Sequence, residues 1–198
     1  SKPAAPTEPP PVDYSSVVIV DARPNELSLS AATKEPNYRI GTGGPSKAPS
    51  IQTEEEKRRV GKRGEEVAYN AERRRLKALG KNPDSVHWVS NTDELSPYDL
   101  MSVDGDNQVI YVEVKSTRDS DPTAPFYISH AELIEAMYRR SRYYVYRVTD
   151  VDSATPAITR WADPLALIKE GKGQLLLAKA QMALTLDNEP DVQGSADS

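Results

Sequence analysis

Tyr98-Asp99-Leu100-Met101-Ser102-Val103 followed by Asp104-Gly105-Asp106-Asn107-Gln108, then Val109-Ile110-Tyr111-Val112-Glu113-Val114-Lys115, is the stretch that decides the fold. Two runs rich in β-branched and aromatic residues flank a polar segment with an Asp-Gly pair, which predicts an antiparallel hairpin. Side chains alternate along a strand, so Ile110, Val112 and Val114 share one face while Glu113 and Lys115 share the other. If Val103 pairs with Val109, Asp99 lies directly opposite Glu113, with Cβ atoms roughly 5 Å apart. A slip of one residue would turn Asp99 to the wrong face.

Folding alone favours uncharged residues at these three positions. Two facing carboxylates repel, and one of them tends to keep a proton. A divalent cation relieves that repulsion, and Mg²⁺ (or Mn²⁺) prefers oxygen ligands and retains several waters. Asp99 and Glu113 are therefore expected to bind metal. Lys115 is expected to orient or help activate a water, or to hold a phosphate. An ion-pair cluster on a solvated sheet face is the other reading these residues leave open.

Upstream, Thr53-Glu54-Glu55-Glu56 is a capping-box pattern that opens a long helix, with Gly80 as its C-terminal cap. Val60, Gly64, Val67, Ala71 and Ala78 form its inward stripe, and the mid-helix Gly64 implies close backbone packing. Val86 to Val89 reads as a short strand. Downstream, Pro125 to Ile128 reads as a strand, and Ser129-His130-Ala131-Glu132 as a second capping box. Tyr143 to Val148 is a strong strand and Ile158 to Trp161 a weaker one, with helices near Pro164 to Glu170 and Leu175 to Leu184. The fold class is α/β, a central mixed sheet flanked by helices, in the order α-β-β-β-α-β.

Composition limits the rest. The chain has 198 residues, and its first fifty hold most of the 16 prolines. Residues 1–52 are expected to be a Pro/Gly-rich linker with one docking strand at Ser16 to Val20, residues 53–186 the domain, and 187–198 an acidic tail. Absence of cysteine excludes disulfides and zinc-thiolate sites. With only His87 and His130, a His₃ zinc site is excluded; His87 is expected in the core and His130 in water. No signal peptide or membrane-spanning run is visible, so a cytoplasmic protein with no membrane partner is expected. The first residue is not Met, which points to a piece of a longer protein. Net charge is −5, yet Lys57 to Lys81 and Arg139 to Arg142 are locally basic. These are solvated helix faces or phosphate contacts, with Lys62 and Arg63 as candidates for DNA. Ser116 and Thr117 follow the lysine and read equally as phosphate contacts or as a strand end. Ser129 and Glu132 read as helix caps, and the tyrosines of 143–146 as core.

Taken in order, Gly61-Lys62-Arg63-Gly64-Glu65-Glu66, Tyr98-Asp99, Val112-Glu113-Val114-Lys115-Ser116-Thr117, Phe126-Tyr127-Ile128-Ser129-x-x-Glu132 and Tyr143-x-x-Tyr146-Arg147-Val148 resemble the domain family named after the C-terminal region of the plant protein NO VEIN. That family, also found in many bacterial proteins, belongs to the PD-(D/E)XK nuclease superfamily, related to restriction endonucleases. The resemblance covers about Thr53 to Val148 and implies a restriction-endonuclease-like core. It matches Asp99, Glu113 and Lys115 to the active-site triplet. It adds Glu65 from the first helix, ahead of Glu66, and the backbone carbonyl of Val114 as metal contacts. Proline stands at Pro97, one place earlier than the superfamily's usual pattern. The function implied is a metal-dependent nuclease acting on DNA, a module of a larger bacterial protein of anti-phage defence or nucleic-acid processing. Fused or associated ATPase or helicase-type domains, and a homodimer, are the partners it implies. A catalytically silent module that binds nucleic acid or a partner protein is the alternative.

Overall fold

The computed structural model describes residues 8–23 and 54–175. Six strands form one mixed sheet: β1 (Val18–Asp21), β2 (His87–Trp88), β3 (Leu100–Val103), β4 (Val109–Ser116), β5 (Tyr143–Thr149) and β6 (Ala157–Ala162). Their spatial order is β1-β6-β5-β4-β3-β2. Helix α1 (Glu54–Ala78) covers one face, and α2 (His130–Arg139) with the short α3 (Pro164–Lys169) lies on the other. Among the described residues, no helix is long and apolar enough to cross a membrane.

The hairpin has the expected register. Val103 pairs with Val109 and Leu100 with Val112, and the pairing ends there: Asp99, one residue beyond it, donates its amide to the Val112 carbonyl instead of standing in register with Glu113. The turn is longer than an Asp-Gly pair: Asn107 takes the left-handed conformation at φ 61°, while the Asp104 carboxylate accepts from the Asp106 and Gln108 amides. Asparagine tolerates that conformation through its short polar side chain. β4 then pairs antiparallel with β3 and parallel with β5. The α2 crossover between β4 and β5 permits the parallel pairing.

Alternation along β4 sorts its side chains as expected. Ile110, Val112 and Val114 pack under Val67, Ala68 and Ala71 of α1. Full burial of such aliphatic side chains stabilises the fold by roughly 1.5–3 kcal/mol each. An added Cβ at Gly64 would overlap the Ser116 side chain, so glycine lets α1 lie directly on β4. Helix α1 ends in a Schellman motif: Gly80 has φ 70°, its amide donates to the Lys77 carbonyl, and the Lys81 amide to that of Leu76. The inward stripe ends on Glu72 and Leu76, while Ala78 is exposed. The Ser129–Glu132 capping box is present, and Tyr143 and Tyr146 are buried core residues. The docking strand is found as β1, parallel to β6.

Three expectations are corrected. Pro125 to Ile128 belongs to no strand. His87 is exposed on the edge strand β2, where only two residues pair with β3 and it is Trp88, on the other face, that packs against α1. β3 begins at Leu100, because the backbone before it turns away toward Val89 and Ser90, whose amides donate to the Asp99 carbonyl. The Thr53 cap and nearly all of the helix expected at Leu175 to Leu184 lie outside the described residues.

Candidate functional site

The site forms where β3 separates from β4. Asp99 donates its amide to the Val112 carbonyl, and its Oδ2 accepts from the Val114 amide at 2.7 Å. Its side chain thus takes the ladder position that a continuing strand would have filled. A residue's amide and carbonyl leave a strand on the same edge, so the Val114 carbonyl faces this gap too.

On the α2 face, Lys115 Nζ lies 2.7 Å from Glu113 Oε1 and 2.7 Å from Glu132 Oε2. Glu132 also accepts from the Ser129 amide at 3.0 Å and so completes the capping box. The lysine is positioned by its own strand and by the first turn of α2.

From the other side of the sheet, Glu65 reaches the same end. Its Oε2 accepts from the Trp88 indole at 2.8 Å and from the Ser90 hydroxyl at 2.6 Å. Lys62 Nζ lies 3.9 Å from the same oxygen and 4.4 Å from the Trp88 ring centroid. Glu66 is exposed and bonded to Tyr14, away from the cluster.

Electrostatics follow from burial and crowding. Burial, and then the Glu65 charge, pushes Asp99 up to about 6, against the Val114 amide, Lys115 and Ser90. Burial and then Asp99 push Glu113 up to about 8, despite Lys115. Burial draws the Lys115 ammonium down, but Glu113 and Glu132 together hold it above its ordinary value. Glu132 falls below the usual carboxylate range, since Lys115 outweighs burial. Carboxylates outnumber cations here: Glu65, Asp99, Glu113 and Glu132 face Lys115 and the more distant Lys62.

The donor set fits a hard divalent cation. Among the described residues no three carboxylate, imidazole or thiol groups stand close enough to form a finished cage. Mg²⁺ needs none, since it is usually bound by one or two carboxylates, waters and substrate phosphate. The buried Glu113 and the half-buried Asp99, both held above their normal range, are the protein ligands it would meet.

The other expected contacts divide. Thr117 lines the cleft beside Lys115, although its hydroxyl already accepts from the Asp119 amide. Lys62 is half-exposed beside Glu65, bonded to Asn91. Ser116 Oγ is buried beneath Gly64 on the face opposite Lys115, so of the two roles expected for it the strand end holds and the phosphate contact is corrected. Arg63 is likewise corrected: its guanidinium ties Pro10, Val151 and Ser153 carbonyls together and is consumed by packing. Sequence reasoning missed the second role of Glu132 and the anchoring of Glu65 by Trp88 and Ser90. It also missed the inward charge of Arg147, which lies beside Lys115 in the β4–β5 register.

The model of the family described as Protein NO VEIN, C-terminal, matches residues 64–161, a segment that runs from Gly64 into β6 and contains every carboxylate of this cluster. No curated protein and no solved structure matches the chain.

Proposed function

The chain belongs, through residues 64–161, to the NO VEIN C-terminal family, and on that premise we propose that it is a divalent-metal-dependent nuclease domain of the PD-(D/E)XK kind, hydrolysing phosphodiester bonds in DNA. The observation that carries this reading is the crowding of two carboxylates, the buried Glu113 and the half-buried Asp99 at the point where β3 leaves β4, both held above the carboxylate range, beside a charged lysine. Asp99, Glu113 and the Val114 carbonyl would hold the cation, with Glu65 completing the shell directly or through water. When bound, Mg²⁺ or Mn²⁺ supplies charge that stabilises the pentacoordinate phosphoryl transition state and acidifies water.

The chain's own residues do the rest. Lys115 is kept protonated by Glu113 and Glu132, so it acts as a fixed positive charge on a phosphate oxygen or an attacking water, not as a proton acceptor. Glu132 positions that ammonium. Trp88 and Ser90 fix the Glu65 carboxylate toward the gap.

Purified protein incubated with plasmid and single-stranded DNA in Mg²⁺ or Mn²⁺ should cleave, and Asp99→Ala and Lys115→Ala should abolish cleavage. Turnover unchanged in both variants would sink the reading. A role in a larger defence or nucleic-acid-processing protein, with ATPase or helicase-type partners, rests on the resemblance alone.

One observation favours a second reading, a silent module that binds nucleic acid or a partner protein: Lys115 is already occupied by two carboxylates. Mn²⁺ titration followed by Trp88 fluorescence, in a Trp161→Phe background, separates the two. The Trp88 indole donates directly to Glu65. A silent module gives no saturable change.

A further inference from the structure

Arg147 lies next to Lys115 across the β4–β5 pairing and projects to the same face of the sheet. It is 4 % exposed. Its NH1 and NH2 reach only the carbonyls of Lys115 at 3.2 Å and Ala124 at 3.4 Å, and its buried Nε has no partner. Among the described residues no carboxylate lies within ion-pair distance of it, whereas the half-buried Arg75 and the buried Arg160 each have one. Asp119 and Asp121 attract it from a distance. Their carboxylates are engaged in the turn, with the amide of Asp121 and the amide and hydroxyl of Thr123. A desolvated guanidinium without an anion is costly, and its planar fork matches a phosphate.

The space in front of this arginine is a cleft of about 340 Å³ lined by Lys115, Thr117, Phe126, Tyr127 and Arg147, among others. Phe126 is 40 % and Tyr127 85 % exposed, on the segment before α2 that pairs with no strand. The Arg147 guanidinium lies 5.5 Å from the Phe126 ring centroid. Exposed rings beside a buried unpaired cation are the elements of a nucleotide site, since bases stack on aromatic faces regardless of sequence. In a duplex those base faces are covered by neighbouring pairs.

We propose that this cleft holds one unpaired nucleotide of a single-stranded nucleic-acid segment, with Arg147 on its phosphate and the Phe126 and Tyr127 rings on its base. The proposal rests on the nuclease reading for the strand's path past Lys115, and it adds the substrate class: unpaired strands in preference to duplex. Binding is nevertheless measurable without turnover.

The test is fluorescence anisotropy in EDTA with a short labelled single-stranded oligonucleotide and a hairpin duplex of related sequence. The single strand should bind more tightly. Tyr127→Ala and Phe126→Ala should each weaken that binding at least about fivefold, with no change in melting temperature. Arg147→Lys should weaken it as well; if that variant fails to fold, the two exposed aromatic positions decide. Unchanged affinity in the Phe126→Ala/Tyr127→Ala double variant, or equal binding of duplex, overturns the proposal. Cleavage that needs Asp99 but ignores both rings also overturns it, while leaving the nuclease reading intact. Ring-dependent binding in a protein that never cleaves keeps this proposal and removes that reading.

Discussion

Glu72 and Glu113 are buried to nearly the same degree on opposite faces of one sheet, and they titrate in opposite directions. Glu72, fully enclosed under α1, is gripped by both ends of Arg75 at 2.6 and 2.7 Å, by the Ser102 hydroxyl at 2.6 Å and by the Tyr146 hydroxyl at 2.9 Å. Burial alone would raise it, yet Arg75 above all, with the Ser102 hydroxyl and the Arg160 charge, brings it below the usual range. Glu113, 6 % exposed, has one ammonium that it shares with Glu132, and it faces Asp99. The difference lies in the partners, not in the degree of burial. Where each lone pair and charge is matched, a buried acid fastens the fold. Where acids outnumber cations, the site retains an unmet demand for positive charge, as a catalytic or binding site does.

The largest test removes the matched acid. Glu72→Ala leaves the Arg75 guanidinium and the Tyr146 hydroxyl buried without their partner, and should cost about 3–5 kcal/mol in urea denaturation near neutral pH. Because the Glu72 value is lowered on folding, its contribution is present above the ordinary carboxylate pKa and is lost as pH falls through the folded value. A cost below about 1 kcal/mol would break the contrast between the two acids.

Next comes the unmatched acid, with the opposite sign. Asp99 and Glu113 have raised folded values, of about 6 and about 8, so they favour the folded state at low pH. That contribution is lost as pH rises from about 4 through those values. Glu113→Gln removes the clash and leaves Lys115 paired to Glu132. In the absence of metal it should stabilise the protein at about pH 8 by on the order of 2 kcal/mol, and change little near pH 4. Denaturation at the two pH values reads this directly, and a uniform effect at both would refute the assigned cause.

Both acids stand in the sequence, but only one is legible there as special. Hairpin register from Leu100 to Val103 follows from two apolar runs around a polar turn, and strand alternation puts Glu113 and Lys115 on one face, but the exit of Asp99 from the ladder is written in no pattern. Gly64 is legible because a mid-helix glycine is costly without a packing reason. Glu72 is hidden among the charges of a highly charged helix. The bonds from Trp88 and Ser90 to Glu65 are hidden by separations of 23 and 25 residues with no periodic signal. Glu132 is already accounted for as a helix cap, and one sufficient role conceals a second. Arg147 is hidden inside a strand whose alternation looks complete with its tyrosines and valines.

Helix α1 joins the two regions, since it carries Glu65 at one and Glu72 at the other. Gly64→Ala tests whether they are mechanically separate. The new methyl must displace Ser116, at a packing cost of about 1–3 kcal/mol that a helix-propensity gain of about 1 kcal/mol partly offsets. A net loss of about 1 kcal/mol in stability is expected, with a larger proportional loss of cleavage because Glu65 is lifted from the gap. Ser116→Gly in the same chain should restore both. Stability lost without any effect on cleavage would place Glu65 outside the working site.

The smallest effect is the most discriminating. A cation that binds the folded state alone stabilises it by mass action, about 1 kcal/mol at a few times its dissociation constant. Mg²⁺ should therefore raise the melting temperature at about pH 8, where Asp99 and Glu113 shed their protons, and have little effect at pH 5, where protons compete for the same oxygens. Glu113→Gln should lose this gain, because it has lost both the ligand and the repulsion that made binding favourable. Conservative changes around Glu72, such as Ser102→Ala, should keep it in full, since that network is already neutralised by Arg75. A gain that survives Glu113→Gln but vanishes with Ser102→Ala would invert the assignment of the two acids, and with it the division between the region that holds the fold and the region that works.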